Sequence, residues 1–126
     1  MYQSTTIIGF LGKDPELRYL PNGTAVASVS VGVNETHRDK EDNRIPKTTW
    51  IRITCYDRTA ENLCQYNSKG DLVFAVGRLK SDEGGNPRIW QAGNGESRSN
   101  FEMTAFVVRG LSRRDKDEQE EMGVPF

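Results

Sequence analysis

The segment Thr49–Tyr56 (TWIRITCY) alternates two kinds of side chain. Ile51, Ile53 and Cys55 form one set; Trp50, Arg52, Thr54 and Tyr56 form the other. Successive side chains of a strand point to opposite faces, so one face here is apolar. The other carries a large aromatic at each end and a guanidinium between them. An exposed Trp needs something to cover it. A nucleobase can, since base–aromatic stacking contributes ~1–3 kcal/mol per base. The guanidinium can pair with a phosphate or stack on a base. The competing cover is protein: another sheet, a subunit or the long loops of the chain itself. The alternation alone leaves both open.

Other residues extend the pattern. Arg58 lies just past Tyr56, at the bend from strand to helix, and Lys80 ends the next strand. Arg88 and Trp90 share the short segment Arg88–Gln91. Cations for the backbone and rings for the bases are what a single-strand groove needs. Any one Lys or Arg is ordinarily a solvated charge, and a hairpin Trp can simply staple its turn. The weight therefore rests on the interleaving.

Catalytic chemistry finds little footing. The single histidine, His37, lies in a charged segment, and there is no HExxH, GxSxG or P-loop pattern. No catalytic residue, metal site or cofactor is expected. A metal-dependent nuclease built from the scattered carboxylates would declare itself by degrading labelled single strands. Cys55 and Cys64 form no CxxC pair, and read as two small buried side chains rather than a disulfide or zinc site.

The elements that must position these residues are mostly strands. Thr5–Leu11 is β-rich, and turn signals follow at Asp14-Pro15 and Pro21-Asn22-Gly23. Val26–Asn34 alternates Ala27, Val29, Val31 and Val33 against Ser28, Ser30, Gly32 and Asn34. His37–Lys47 reads as a flexible charged loop, followed by the strand Thr49–Tyr56. Arg58–Lys69 is the one helical candidate, with Gly70 as its stop. Leu72–Leu79 is a further strand, and Ser81–Pro87 a long turn. Arg88–Gln91 and Phe101–Val108 read as two arms of a hairpin joined by Ala92–Asn100. The fold class is all-β with one helix. Five strands with a helix between the third and fourth is the order of an OB-fold, a Greek-key barrel, here with extended hairpin loops. A split first strand would close it.

The 126 residues make one domain the prior. The net charge of −1 conceals an asymmetry, with about +3 on residues 1–114 and −4 on residues 115–126. A mildly basic body with an acidic, aperiodic tail points to a polyanion partner and a separate, disordered interaction tail. No stretch is long and apolar enough to cross a bilayer and the N-terminus carries no signal pattern, so a cytoplasmic, nucleoid-associated protein is expected.

The run Ile8–Tyr19 (IGFLGKDPELRY), then Pro21-Asn22-Gly23 and Ala25-Val26-Ala27, resembles the bacterial single-stranded DNA-binding proteins of replication. Trp50-Ile51-Arg52, Ala60-Glu61-Asn62, Tyr66, Lys69-Gly70 and Gly77-Arg78-Leu79 continue the likeness to about residue 112. The end of the chain, DKDEQEE followed by Met122–Phe126, is similar to the acidic tip of that family, which closes on Pro-Phe. The resemblance implies stacking at Trp50, Tyr56 and Trp90, with His37 at the position of a loop aromatic. It implies phosphate contacts at Arg18, Arg52, Arg58 and Lys80, to which Arg88 is added from its place beside Trp90. It implies a homotetramer of OB folds, wrapped by DNA without sequence preference in replication, recombination and repair. The tip residues Glu120, Glu121, Val124, Pro125 and Phe126 would then recruit replication and repair proteins. The chain divides accordingly into a DNA-binding domain, 1–112, and a short tail, 113–126. Three features depart from the family pattern: an imidazole at His37, a longer Ser81–Pro87 segment, and only Ser112–Arg114 as linker. An accessory OB protein that mainly binds other proteins, or an OB protein that binds RNA, is the remaining alternative.

Overall fold

The computed structural model describes residues 1–111. Eight strands and one helix follow in order: β1 (Thr5–Leu11), β2 (Glu16–Tyr19), β3 (Ala25–Arg38), β4 (Arg44–Tyr56), α1 (Asp57–Tyr66), β5 (Leu72–Leu79), β6 (Ile89–Gln91), β7 (Ser97–Ser99) and β8 (Phe101–Gly110). The main sheet runs β1-β5-β8-β4-β3-β2, and β1 also pairs with β3. That second pairing closes a five-stranded barrel and leaves β2 as an added edge strand.

Closure depends on β1 serving two neighbours. Thr5–Phe10 lie against β5, while Phe10 and Leu11 lie against Gly32 and Val31 of β3. Gly9 sits at the changeover, where a Cβ would run into the carbonyl of Gly32. Strand alternation then fills the interior with Leu11, Val29, Val31, Ile53, Cys55, Val73, Ala75 and Met103. Helix α1 adds Ala60 and Leu63 to this core, and packs against β3, β8 and β4. Ile53 and Cys55 are fully buried and Ile51 is half-buried, as the alternation of β4 required.

Four local expectations change. The Asp14–Gly23 region holds more than turns: Glu16–Tyr19 pairs with Ala25–Ser28 as a short edge strand, and Gly23 (φ +88°) turns the chain between them. The charged segment His37–Lys47 is not a loop throughout. The ladder between β3 and β4 continues to the pair Arg38–Arg44, because backbone pairing needs no apolar face. Its tip is fixed by the Asp39 carboxylate, which accepts from the backbone N–H groups of Glu41 and Asn43 at 2.9 Å each. Those donors hold the Asp39 carboxyl below its usual value, the Asn43 amide most of all.

The helix ends at Tyr66, short of Lys69. Beyond it the Ser68 N–H donates to Asp71 within the connection to β5, and the Lys69 N–H donates to Asp14 in the β1–β2 turn, so these amides serve the loops instead of a further helical turn. Finally, Arg88–Gln91 does not pair with Phe101–Val108. Ile89–Gln91 pairs with Ser97–Ser99 in a small exposed arm, and Phe101–Gly110 is a barrel strand, antiparallel to β5 and parallel to β4. Met103 and Ala105 are buried, and a solvent-borne hairpin would have left them in water.

Candidate nucleic-acid interface

The outer face of β3 and β4 is set by register. Gly32 lies opposite Trp50, Ser30 opposite Arg52, Ser28 opposite Thr54 and Val26 opposite Tyr56. On one side β2 places Arg18 against Val26. On the other, β8 places Glu102 beside Arg52 and Thr104 beside Thr54. Lys80 leaves β5 with its backbone N–H donating to the Glu102 carbonyl at 3.0 Å, and so joins the same rim. Arg88 returns from the exposed arm to the floor, where its Nη2 donates to a Glu102 carboxylate oxygen at 2.7 Å and its Nε to the other at 3.4 Å.

The product is an open groove of about 380 Å³ lined by Arg18, Arg52, Tyr56, Lys80, Arg88 and Glu102, among others. Four of its lining residues are cations drawn from four separate stretches of chain. Below them the Ser28 and Thr54 hydroxyls lie 3.2 Å apart, giving the half-buried floor a satisfied polar pair. Glu102 is 8% exposed and surrounded by positive charge. The Arg88 hydrogen bond is the largest influence holding its carboxyl below the usual carboxylate range; burial opposes it, and the charges of Arg88, Lys80 and Arg52 add to it. The same link holds the Arg88 guanidinium still more firmly protonated.

Trp50 stands farther along the same strand face, 47% exposed. Its ring meets Phe10 edge to face, with centroids 5.4 Å apart and planes at 79°. Gly12 and Gly32 make room for it: a Cβ on Gly12 would lie 2.6 Å from the indole, and one on Gly32 would lie 3.0 Å from it and 2.7 Å from the Phe10 ring. Aromatic pairs prefer such edge-to-face contact, and it leaves indole surface open to a base.

Of the residues expected from sequence, Arg18, Arg52, Tyr56, Lys80 and Arg88 meet in the groove, and Trp50 shares its strand face. Three do not join them. Arg58 is exposed in the first turn of α1. Trp90 lies on β6 opposite Arg98, 37% exposed on the arm. His37 pairs with Ile45 near the tip of the β3–β4 hairpin, and alternation along the ladder places it on the face opposite Trp50. The tip residues Glu120, Glu121, Val124, Pro125 and Phe126 lie outside the described residues. Sequence reasoning gave no part to Phe10 or Glu102. The alternation of Ile8 and Phe10 on β1 is a signal that could have found Phe10; Glu102 has none of comparable strength. Among the described residues no cluster of His, Cys, Asp or Glu is placed to hold a metal ion. No described helix is long and apolar enough to cross a membrane.

Comparison with known proteins gives three results. The family model of the single-strand binding proteins matches residues 2–111. Single-stranded DNA-binding proteins of Neisseria meningitidis, from a serogroup A and a serogroup B strain, are each 39% identical over 111 residues, which is 88% of this chain. The chain spans 60% of the length of these relatives. A crystal structure of a deletion mutant of the single-stranded DNA binding protein from Thermus aquaticus superposes with a TM-score of 0.67 at 24% identity, covering 88% of this chain and 51% of that one. That likeness shows the OB-type barrel fold.

Proposed function

The chain belongs to the single-strand binding protein family, and from that premise we propose that it binds single-stranded DNA across the outer face of β3 and β4, without catalysis. The observation that carries this reading is the convergence of Arg18, Arg52, Lys80 and Arg88 on one groove that also holds Tyr56 and lies on the strand face of Trp50. Cations follow the phosphates and the rings accept bases, which is a sequence-tolerant mode because every base has a π-face. Trp90, on the arm, is a further stacking position along a path that leaves the groove; His37 becomes one where the strand passes round the long β3–β4 hairpin to the face opposite Trp50. Arg58 is a further phosphate contact beside Tyr56.

The same reading gives the protein a role in protecting single strands during replication, recombination and repair. Its acidic tip, Glu120–Phe126, recruits enzymes of those processes: the carboxylates seek a basic patch and the terminal Phe a pocket. Self-association, to a homotetramer, covers the apolar outer face where Ile8 and Val107 are exposed and Phe74 and Val76 half-buried. Titration with poly-dT and with duplex of equal length tests the central claim. Single strands should bind far more tightly than duplex; equal affinity for the two overturns it. Light scattering at micromolar concentration tests the assembly, and a monomeric mass refutes it.

A further inference from the structure

A groove for a polyanion has no evident use for a carboxylate in its floor, yet Glu102 is there. Among the described residues that line the groove it is the single acid. Burying a charge is costly unless it is paired, and Glu102 is paired with Arg88. The pair is lopsided: the Glu102 side chain is 7% exposed and that of Arg88 is 54% exposed. A guanidinium has five N–H donors. Glu102 takes one on Nη2 and the one on Nε, leaving the others available to the groove.

We infer that Glu102 is a positioning residue that fixes Arg88 at the groove floor while cancelling its charge, so that a bound strand meets four basic side chains but a net charge of three. Arg88 keeps its direction and its donors. A phosphate that reaches it meets one pole of an ion pair and not a free cation. The strand is then held less tightly than the count of basic residues implies, and its binding is less sensitive to salt. The inference rests on the groove being the path of the strand.

The test is the dependence of poly-dT affinity on salt, measured by fluorescence titration for four variants and the unaltered protein. Each phosphate neutralised on a single strand contributes about 0.7 to the slope of log K against log salt. Glu102→Gln keeps an oxygen for Arg88 and removes only the charge. It should steepen the slope by about 0.7 and tighten binding roughly fivefold near 0.1 M salt. Arg88→Ala should flatten the slope by a similar amount. The double variant Arg88→Ala/Glu102→Gln, which leaves no unpaired charge behind, should return to the unaltered slope.

If Glu102→Gln matches the unaltered protein and the double variant matches Arg88→Ala, Glu102 is only a pin for the arm and the inference is overturned. Arg52→Ala separates the two levels of the argument. A flattened slope there supports the groove as the strand's path, so an unmoved slope in Glu102→Gln then refutes the role of Glu102 alone. An unmoved slope in Arg52→Ala overturns the groove reading and this inference with it.

Discussion

Replacing Trp50 distinguishes a ring that meets DNA from a ring that holds the barrel together. The indole is 47% exposed; the remainder lies against Phe10 and over Gly12 and Gly32. Trp50→Ala therefore has two separable costs. Losing a base stack weakens binding by ~1–3 kcal/mol, or roughly 5- to 150-fold. Losing the contact with Phe10 costs stability ~0.5–1.5 kcal/mol beyond the area buried, and the covered half of the indole, on the order of 100 Å², adds ~2–3 kcal/mol. That is a serious share of a small domain's stability, so Trp50→Ala alone would confuse the two effects. Trp50→Phe keeps an aromatic on the seat and most of the stability, while removing one of the chain's two tryptophans. The assay is quenching of intrinsic fluorescence by poly-dT, with thermal melts on the same samples. In Trp50→Phe the residual signal belongs to Trp90, and the quench should fall in amplitude. Quenching as in the unaltered protein, with unaltered affinity, would mean that no base sits on Trp50, and the ring's role would be structural.

Gly32→Ala should weaken poly-dT binding without loss of the β signal in far-ultraviolet circular dichroism, because its Cβ would come 2.7 Å from Phe10 and 3.0 Å from Trp50 and must tilt the pair. Unchanged affinity and an unchanged near-ultraviolet tryptophan band would show that the seat does not matter. The Glu102 carboxyl is held below its ordinary value of 4.5, chiefly by the hydrogen bond from Arg88. Its stabilisation is therefore present above that ordinary value and is lost as pH falls through the lowered folded value. The melting difference between the unaltered protein and Glu102→Gln should shrink as pH falls from neutral to below the ordinary carboxyl value; a constant difference refutes the linkage. Burial pushes the Cys55 thiol up to about 12, and raises Cys64 as well. Both should react slowly with a disulfide reagent at mildly alkaline pH until the protein unfolds, whereas two fast native thiols would contradict the burial. Deleting Met122–Phe126 should spare DNA binding and end capture of partner enzymes. Deleting Asp115–Phe126 should in addition tighten DNA binding at low salt, where like charges are least screened, and loss of DNA binding would place the tail within the DNA site.

What was legible in the sequence was whatever a single strand's alternation carries. The inward set Ile51, Ile53 and Cys55, and the outward set Trp50, Arg52 and Tyr56, follow from period two within one segment. The strands Thr5–Leu11 and Leu72–Leu79 were legible to the residue from their run of β-branched, aromatic and other apolar residues between turn signals. Alternation says which face a side chain takes, and nothing about its neighbour on the next strand. Phe101–Gly110 shows the difference. Read locally it is a hairpin arm, because Arg88–Gln91 precedes it at hairpin spacing; in the barrel it lies between β4 and β5, where Met103 and Ala105 are covered. That placement also brings Glu102 beside Arg52 in a parallel register, across 50 positions of sequence. The cations could each be named from their own segments, but their convergence on one groove is a property of closure. Glu102 is the sharper case. In its own segment it is an ordinary exposed-face acid between Phe101 and Met103, and only the return of the arm, which sets Arg88 over β8, turns it into the counter-charge of the groove. The pairing of Glu102 and the meeting of the cations thus depend on contacts between distant segments, which no reading of local pattern supplies.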